Sequence, residues 1–116
     1  FDVINSGASL TFTSTSGSND NCKLIIDGAN QSFYSGNCAL VVTRAGAELT
    51  INAGVKLCNN YSGGAGAVIR VENGSGSKLT VNGGVFENNH SVSNNGGAIN
   101  LLCTSTQSVI RNAVFS

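Results

Sequence analysis

The feature that most narrows the folds open to this chain is a short pattern that keeps returning. Leu24-Ile25-Ile26-Asp27, Leu49-Thr50-Ile51-Asn52, Leu79-Thr80-Val81-Asn82 and Ser108-Val109-Ile110-Arg111 begin at successive intervals of 25, 30 and 29 residues. Leu10-Thr11-Phe12 is a fifth, degenerate copy only 14 residues before the next. Positions one and three of the template are mostly apolar and Thr often stands between them, the alternation of a strand with one buried face. Each copy is followed by a large apolar residue (Phe33, Leu57, Phe86 or Phe115), then by an Asn/Ser/Gly turn. A second apolar strand comes next in Ala39-Leu40-Val41-Val42, Ala67–Val71 and Ala98–Leu102. Strands this short cannot enclose a core alone. A period near 30 built from two or three of them suits a coil stacked on copies of itself, strand over strand at about 4.8 Å. The expected fold is all-β: a parallel β-helix, or β-solenoid, of about four to five rungs of roughly 25–30 residues. Residues 1–116 then form a single segment, a fragment or stacking unit of a longer solenoid.

Stacking predicts columns of like side chains. Leu24, Leu49 and Leu79, with Ile26, Ile51, Val81 and Ile110, are expected to make one aliphatic column inside, and Phe33, Leu57, Phe86 and Phe115 a second. Asp27, Asn52 and Asn82 fall where each strand turns and are expected to form a ladder from rung to rung, since Asn and Asp suit turns. Arg70 should point outward, which puts Ala67, Ile69 and Val71 inside. The same register would bury Asn100, so residues 98–103 either hold a bonded inner amide or shift by one.

Composition removes several function classes. Six basic and six acidic residues cancel and charged residues are only 10% of the chain, which excludes the dense Lys/Arg face that nucleic acid binding needs. The longest apolar runs, Leu24–Ile26 and Ala39–Val42, fall far below the roughly 20 residues of a membrane-spanning helix, so no membrane insertion by this segment is expected. The 41% apolar content, held in β-branched clusters among 15 Gly and no Pro, favours many short strands with tight turns over disorder. The chain starts at Phe1, has no Met and carries no signal-peptide pattern, as a mature or excised fragment would.

Phe86-Glu87-Asn88-Asn89 followed by Gly96-Gly97-Ala98-Ile99 resembles the FxxN and GGAI tetrapeptides repeated in the polymorphic outer-membrane proteins, an autotransporter family of surface adhesins. Degenerate versions are Leu57-Cys58-Asn59-Asn60 with Gly63–Val68, and Phe33–Gly36 with Cys38-Ala39-Leu40. The resemblance covers roughly residues 24 to 116. It implies a right-handed β-helix in a secreted or cell-surface protein, with a structural and adhesive role.

Reactive groups do not gather along the sequence. No two of the acids Asp2, Asp20, Asp27, Glu48, Glu72 and Glu87 are adjacent or two apart, whereas glycoside hydrolysis needs paired carboxyls. Glu72 is expected beside Arg44. His90 is the single histidine, so neither a metal set nor a catalytic dyad is suggested, and no cofactor is expected. Cys22, Cys38, Cys58 and Cys103 form no CxxC pair. Cys22–Cys38 is the favoured bridge, and its closure would contribute about 3 kcal/mol; alternatively, all four are small apolar fillers. Sequons at Asn30, Asn60, Asn73 and Asn89 are possible glycosylation sites. Thr11, Thr13 and Thr15 alternate, but an ice-binding face would need that array on successive rungs.

The leading expectation is a non-enzymatic extracellular module: a surface stalk, passenger or filament subunit that stacks end to end or continues into further rungs. The alternatives are a module that binds glycans or host proteins through Tyr34, Tyr61 and the turn 73–78, and part of a β-helical polysaccharide lyase or hydrolase.

Overall fold

A computed structural model describes the chain except residues 1, 4–6, 31, 34–39, 43–45, 64–65, 73–75, 93–96 and 103–107; for 2–3, 32–33 and 40–42 it describes only the strand backbone. The described regular structure is all strand. In chain order the strands are β1 (Asp2–Val3), β2 (Ser9–Phe12), β3 (Leu24–Asp27), β4 (Ser32–Phe33) and β5 (Leu40–Val42). The next are β6 (Glu48–Ile51), β7 (Val55–Cys58), β8 (Tyr61–Ser62), β9 (Ile69–Val71) and β10 (Lys78–Val81). The last are β11 (Val85–Glu87), β12 (His90–Ser91), β13 (Ile99–Leu101), β14 (Val109–Ile110) and β15 (Val114–Phe115).

These strands form sheets in the orders β2-β6-β10-β14, β3-β7-β11-β15, β4-β8-β12 and β1-β5-β9-β13. Every pairing is parallel. Sequence neighbours therefore lie in different sheets, and each sheet takes one strand from each successive repeat. Parallel neighbours need a long crossover between them. Here the crossover consists of the other three strands of the repeat and their turns, so the pairing partner arrives about 30 residues later.

Alternation decides what enters the core. In β6 and β10 the burial runs half-buried, buried, half-buried, buried, so Leu49, Ile51, Leu79 and Val81 face inward while Thr50 and Thr80 face out. The register stacks Leu10, Leu49 and Leu79, and beside them Phe12, Ile51, Val81 and Ile110. The next sheet contributes Ile26, Leu57, Phe86 and Phe115 as one column. Ile69 and Val71 of β9 close the core together with Ala67 and Val68. Each fully buried Leu, Ile, Val or Phe is worth about 1.5–3 kcal/mol of transfer free energy. The middle repeats, covered from both sides, are accordingly the driest.

Several expected alignments are corrected by this register. Leu24 lies opposite Val55, and Ile26 opposite Leu57, so neither belongs to the Leu49/Leu79 column. Leu10 and Phe12, the supposed degenerate copy, take that place. The cause is an 11-residue connection (residues 13–23) between β2 and β3, where later repeats use three. It shifts Leu-Ile-Ile-Asp into the second strand position of its repeat, where a similar alternation hides the difference. Gly7-Ala8-Ser9-Leu10, Gly46-Ala47-Glu48-Leu49 and Gly76-Ser77-Lys78-Leu79 carry the true register. Their glycines all have positive φ (75°, 72° and 82°), a corner geometry that side chains strain to adopt. Phe33 lies opposite Ser62 on β8, outside the Leu57/Phe86/Phe115 column. Of the two registers open at residues 98–103, the shifted one is found: Ile99 pairs with Ile69 and Asn100 with Arg70. Asn100 is nonetheless buried, and its Oδ1 has no hydrogen-bond partner among the described residues.

Candidate binding surface

Asparagine recurs at the turns and makes three ladders. In the first, Asn82 Nδ2 donates to Asn52 Oδ1 at 3.1 Å, and Arg111 continues it with Nε and Nη2 bonds of 3.0 and 2.8 Å to Asn82 Oδ1. Asp27 does not join this ladder, because β3 sits over β7. It heads a second one instead: Asn59 Nδ2 donates to Asp27 Oδ1 at 3.1 Å, and Asn88 Nδ2 to Asn59 Oδ1 at 2.8 Å. Asn59 and Asn88 both adopt left-handed backbone angles (φ 54° and 53°), which Asn tolerates better than most residues. The Ala29 N–H and then the Asn59 amide hold the Asp27 carboxyl below its ordinary pKa by bonding its charged form.

The third ladder points inward. Asn60 Nδ2 donates to Cys58 O and to Asn89 Oδ1, both at 3.0 Å, while Asn89 Nδ2 donates to Leu57 O at 2.9 Å. Asn89 Oδ1 also accepts from Asn60 N at 3.1 Å. This gives the Phe-x-x-Asn spacing a physical reading. Phe86 fills the interior while the Asn89 amide bonds the Leu57 carbonyl of the preceding repeat; one repeat earlier Leu57 fills the interior and the Asn60 amide bonds the Cys58 carbonyl of its own turn and Asn89 of the next repeat.

These bonds revise the modification sites. Asn60 is only 2% exposed and both it and Asn89 commit their Nδ2 to carbonyl or amide oxygens, so neither offers a free amide for glycosylation in the folded chain. Asn30 is exposed. Asn73 lies outside the described residues. Cys22 and Cys58 carry free thiols, and Cys22 Sγ donates to Asn19 O at 3.3 Å, so the expected Cys22–Cys38 bridge is not formed. Cys38 and Cys103 lie outside the described residues. Cys58 is set in register between Asp27 and Glu87. Burial first, and the Asp27 carboxylate second, push its thiol pKa up.

The described carboxylates are spread along the flank. Glu87 pairs with Lys56, Glu72 with Arg70 and Glu48 with Lys78, each at 2.8 Å. Glu72, just past the end of β9, thus takes a partner two residues before it; Arg44 lies outside the described residues. Glu87 raises the Lys56 pKa by accepting its hydrogen bond. Among the described residues no group of three His, Cys, Asp or Glu is placed to hold a metal ion, and no helix is long and apolar enough to cross a membrane. A recess of about 330 Å³ opens beside the last repeat, lined by Phe86, Asn89, Ala98, Phe115 and Ser116.

One surface strip combines chemistry suited to a ligand. On β8 and β12, Tyr61 and His90 stack with ring centroids 5.1 Å apart and an interplanar angle of 21°. Two residues earlier in each repeat stand the bonded amides of Asn59, half-buried, and Asn88, exposed. Aromatic rings beside amide donors and acceptors can engage the apolar faces and hydroxyls of a sugar together. Tyr34 and residues 73–75 of the turn 73–78 lie outside the described residues. The repeated Asn-x-aromatic spacing at 59–61 and 88–90 was the available signal for this strip; taken one repeat at a time, it reads as ordinary turn composition.

Comparison with known proteins returns no matching family model, no matching curated protein and no matching solved structure.

Proposed function

We propose that this chain is a run of rungs of a right-handed parallel β-helix, serving as a secreted or cell-surface structural and adhesive module without catalysis of its own. The observation that carries this reading is the unbroken in-register parallel pairing of strands from successive repeats, Leu10 on Leu49 on Leu79. Side chains that could do chemistry are instead bonded sideways into ladders and ion pairs. The likeness of Phe86–Asn89 and Gly96–Ile99 to the repeats of autotransporter adhesins supports a surface location. Open strand edges at either side of the stack invite further strands, from the same chain or from a second copy in a filament.

The test is deletion of residues 46–75, one full repeat, from the protein carrying this segment. A stalk should shorten by about 4.8 Å in its long axis and stay folded, measured by small-angle scattering. Adhesion of cells displaying the full segment, lost on its removal, completes the case. Cleavage of a polysaccharide by the purified segment would replace it with the lyase or hydrolase reading.

A second reading, a glycan-binding module, is favoured by the Tyr61–His90 stack beside Asn59 and Asn88. Glycan-array binding that falls at least tenfold in Tyr61→Ala would support it, and an array without hits would remove it.

A further inference from the structure

The long connection between β2 and β3 runs along the flank of the later repeats. Ser14 and Ser16 lie so close to Gly54 that a Cβ there would come within 2.4 Å of Ser16 Oγ and 2.9 Å of Ser14 Cβ. Gly54 has φ +83° and no side chain, which leaves room for the connection. Hydroxyl-to-backbone bonds then turn it: Ser16 N donates to Ser14 Oγ and Ser18 N to Ser16 Oγ, each at 3.3 Å.

The turn delivers Asn19 to the corner joining the first two sheets. Asn19 Oδ1 accepts from Gly84 N at 2.6 Å and from Gly54 N at 3.4 Å. Its Nδ2 donates to Asn112 O at 2.8 Å. Gly54, Gly84 and Asn112 belong to this same corner in the second, third and fourth repeats. One side chain from the first repeat thus bonds all three that follow. Only a head with an acceptor and a donor side by side can do so: Asp lacks the donor and Ser the reach.

We infer that Asn19 is a clasp that couples repeats beyond nearest neighbours and makes the later repeats open as one unit. In stacked-repeat proteins each repeat ordinarily touches only those beside it, so stability is a sum of local terms and the ends open first. Here the fourth repeat cannot leave without breaking a bond to the first.

Amide hydrogen exchange on the full chain tests this. In the unaltered protein, Asn82 of the third repeat and Arg111 and Val114 of the fourth, all bonded to the preceding repeat, should exchange with similar protection. In Asn19→Ala, exchange should accelerate about tenfold at Gly84, Arg111 and Val114 and far less at Asn52 of the second repeat, leaving a gradient along the stack. Asn19→Asp keeps the acceptor and loses the donor. It should leave Gly84 slow while Arg111 and Val114 accelerate, and this milder change serves if the alanine variant folds poorly. Thr15→Ala, an exposed position in the same connection, should change nothing. Equal acceleration at all repeats in Asn19→Ala, or rates at Arg111 and Val114 within twofold of the unaltered protein, would overturn the inference.

Discussion

The inner pair Asn60 and Asn89 gives the sharpest test of why this chain keeps amides in its core. Asn60→Ala removes the side-chain bonds to Cys58 O and Asn89 Oδ1, while Cys58 O keeps its bond from Gly28 N. At about 1 kcal/mol net per bond, the loss is about 2 kcal/mol. Asn89→Ala removes the bond to Leu57 O and the acceptor of two Asn60 donors, three bonds and about 3 kcal/mol. The side-chain bond between the two residues vanishes in either variant, whereas Asn60 N keeps its bond to Asn89 Oδ1 in Asn60→Ala, so the double variant should be less destabilised than the sum by about 1 kcal/mol. Urea unfolding followed by circular dichroism reads these values; each single variant should lower the midpoint by about 1–2 M for a slope near 1.5–2 kcal/mol/M. If either single loss stayed below about 0.5 kcal/mol, or the two added within about 0.3 kcal/mol, the amides would not be working as a bonded inner pair.

Register and chemistry supply further expectations. Leu49→Ala, at a fully buried site, should cost about 3–4 kcal/mol, while Leu24→Ala at a partly buried one should cost about half as much, both read from unfolding midpoints; equal costs would contradict the observed stacking. Asp27 has a folded pKa below its ordinary 3.8, so the stability it contributes is present above that value and is lost as pH falls through the lower folded one. Asp27→Asn should therefore flatten part of the acid limb of a stability-against-pH curve. Cys58, 3% exposed and with a raised pKa, should react with iodoacetamide at least about tenfold more slowly in the native chain than in urea, which mass spectrometry of labelled peptides would show. Lys56→Met should leave the unfolding midpoint nearly unchanged, because its ion pair with Glu87 faces solvent.

Alternation in Leu49-Thr50-Ile51 and Leu79-Thr80-Val81, with glycine and asparagine between strands and no proline, determines from the sequence alone that the chain makes short one-faced strands. The return of the pattern near every 30 residues determines that like strands pair in parallel. These are local properties, set by which atoms lie next to one another along the backbone. Which copy lies over which was decided only in three dimensions. Leu24-Ile25-Ile26 and Leu10-Thr11-Phe12 present almost the same alternation. Only the space taken by residues 13–23, and the glycine corners at 7, 46 and 76, assign one to the second sheet and the other to the first. The roles of asparagine divided in the same way. Asn59 and Asn60 are neighbours of one type, yet one bonds along the exposed corner and the other inside the core, because successive side chains leave a turn in different directions. Asn19 lay furthest from reach, since its partners Gly84 and Asn112 are 65 and 93 residues away and become neighbours only when the repeats stack.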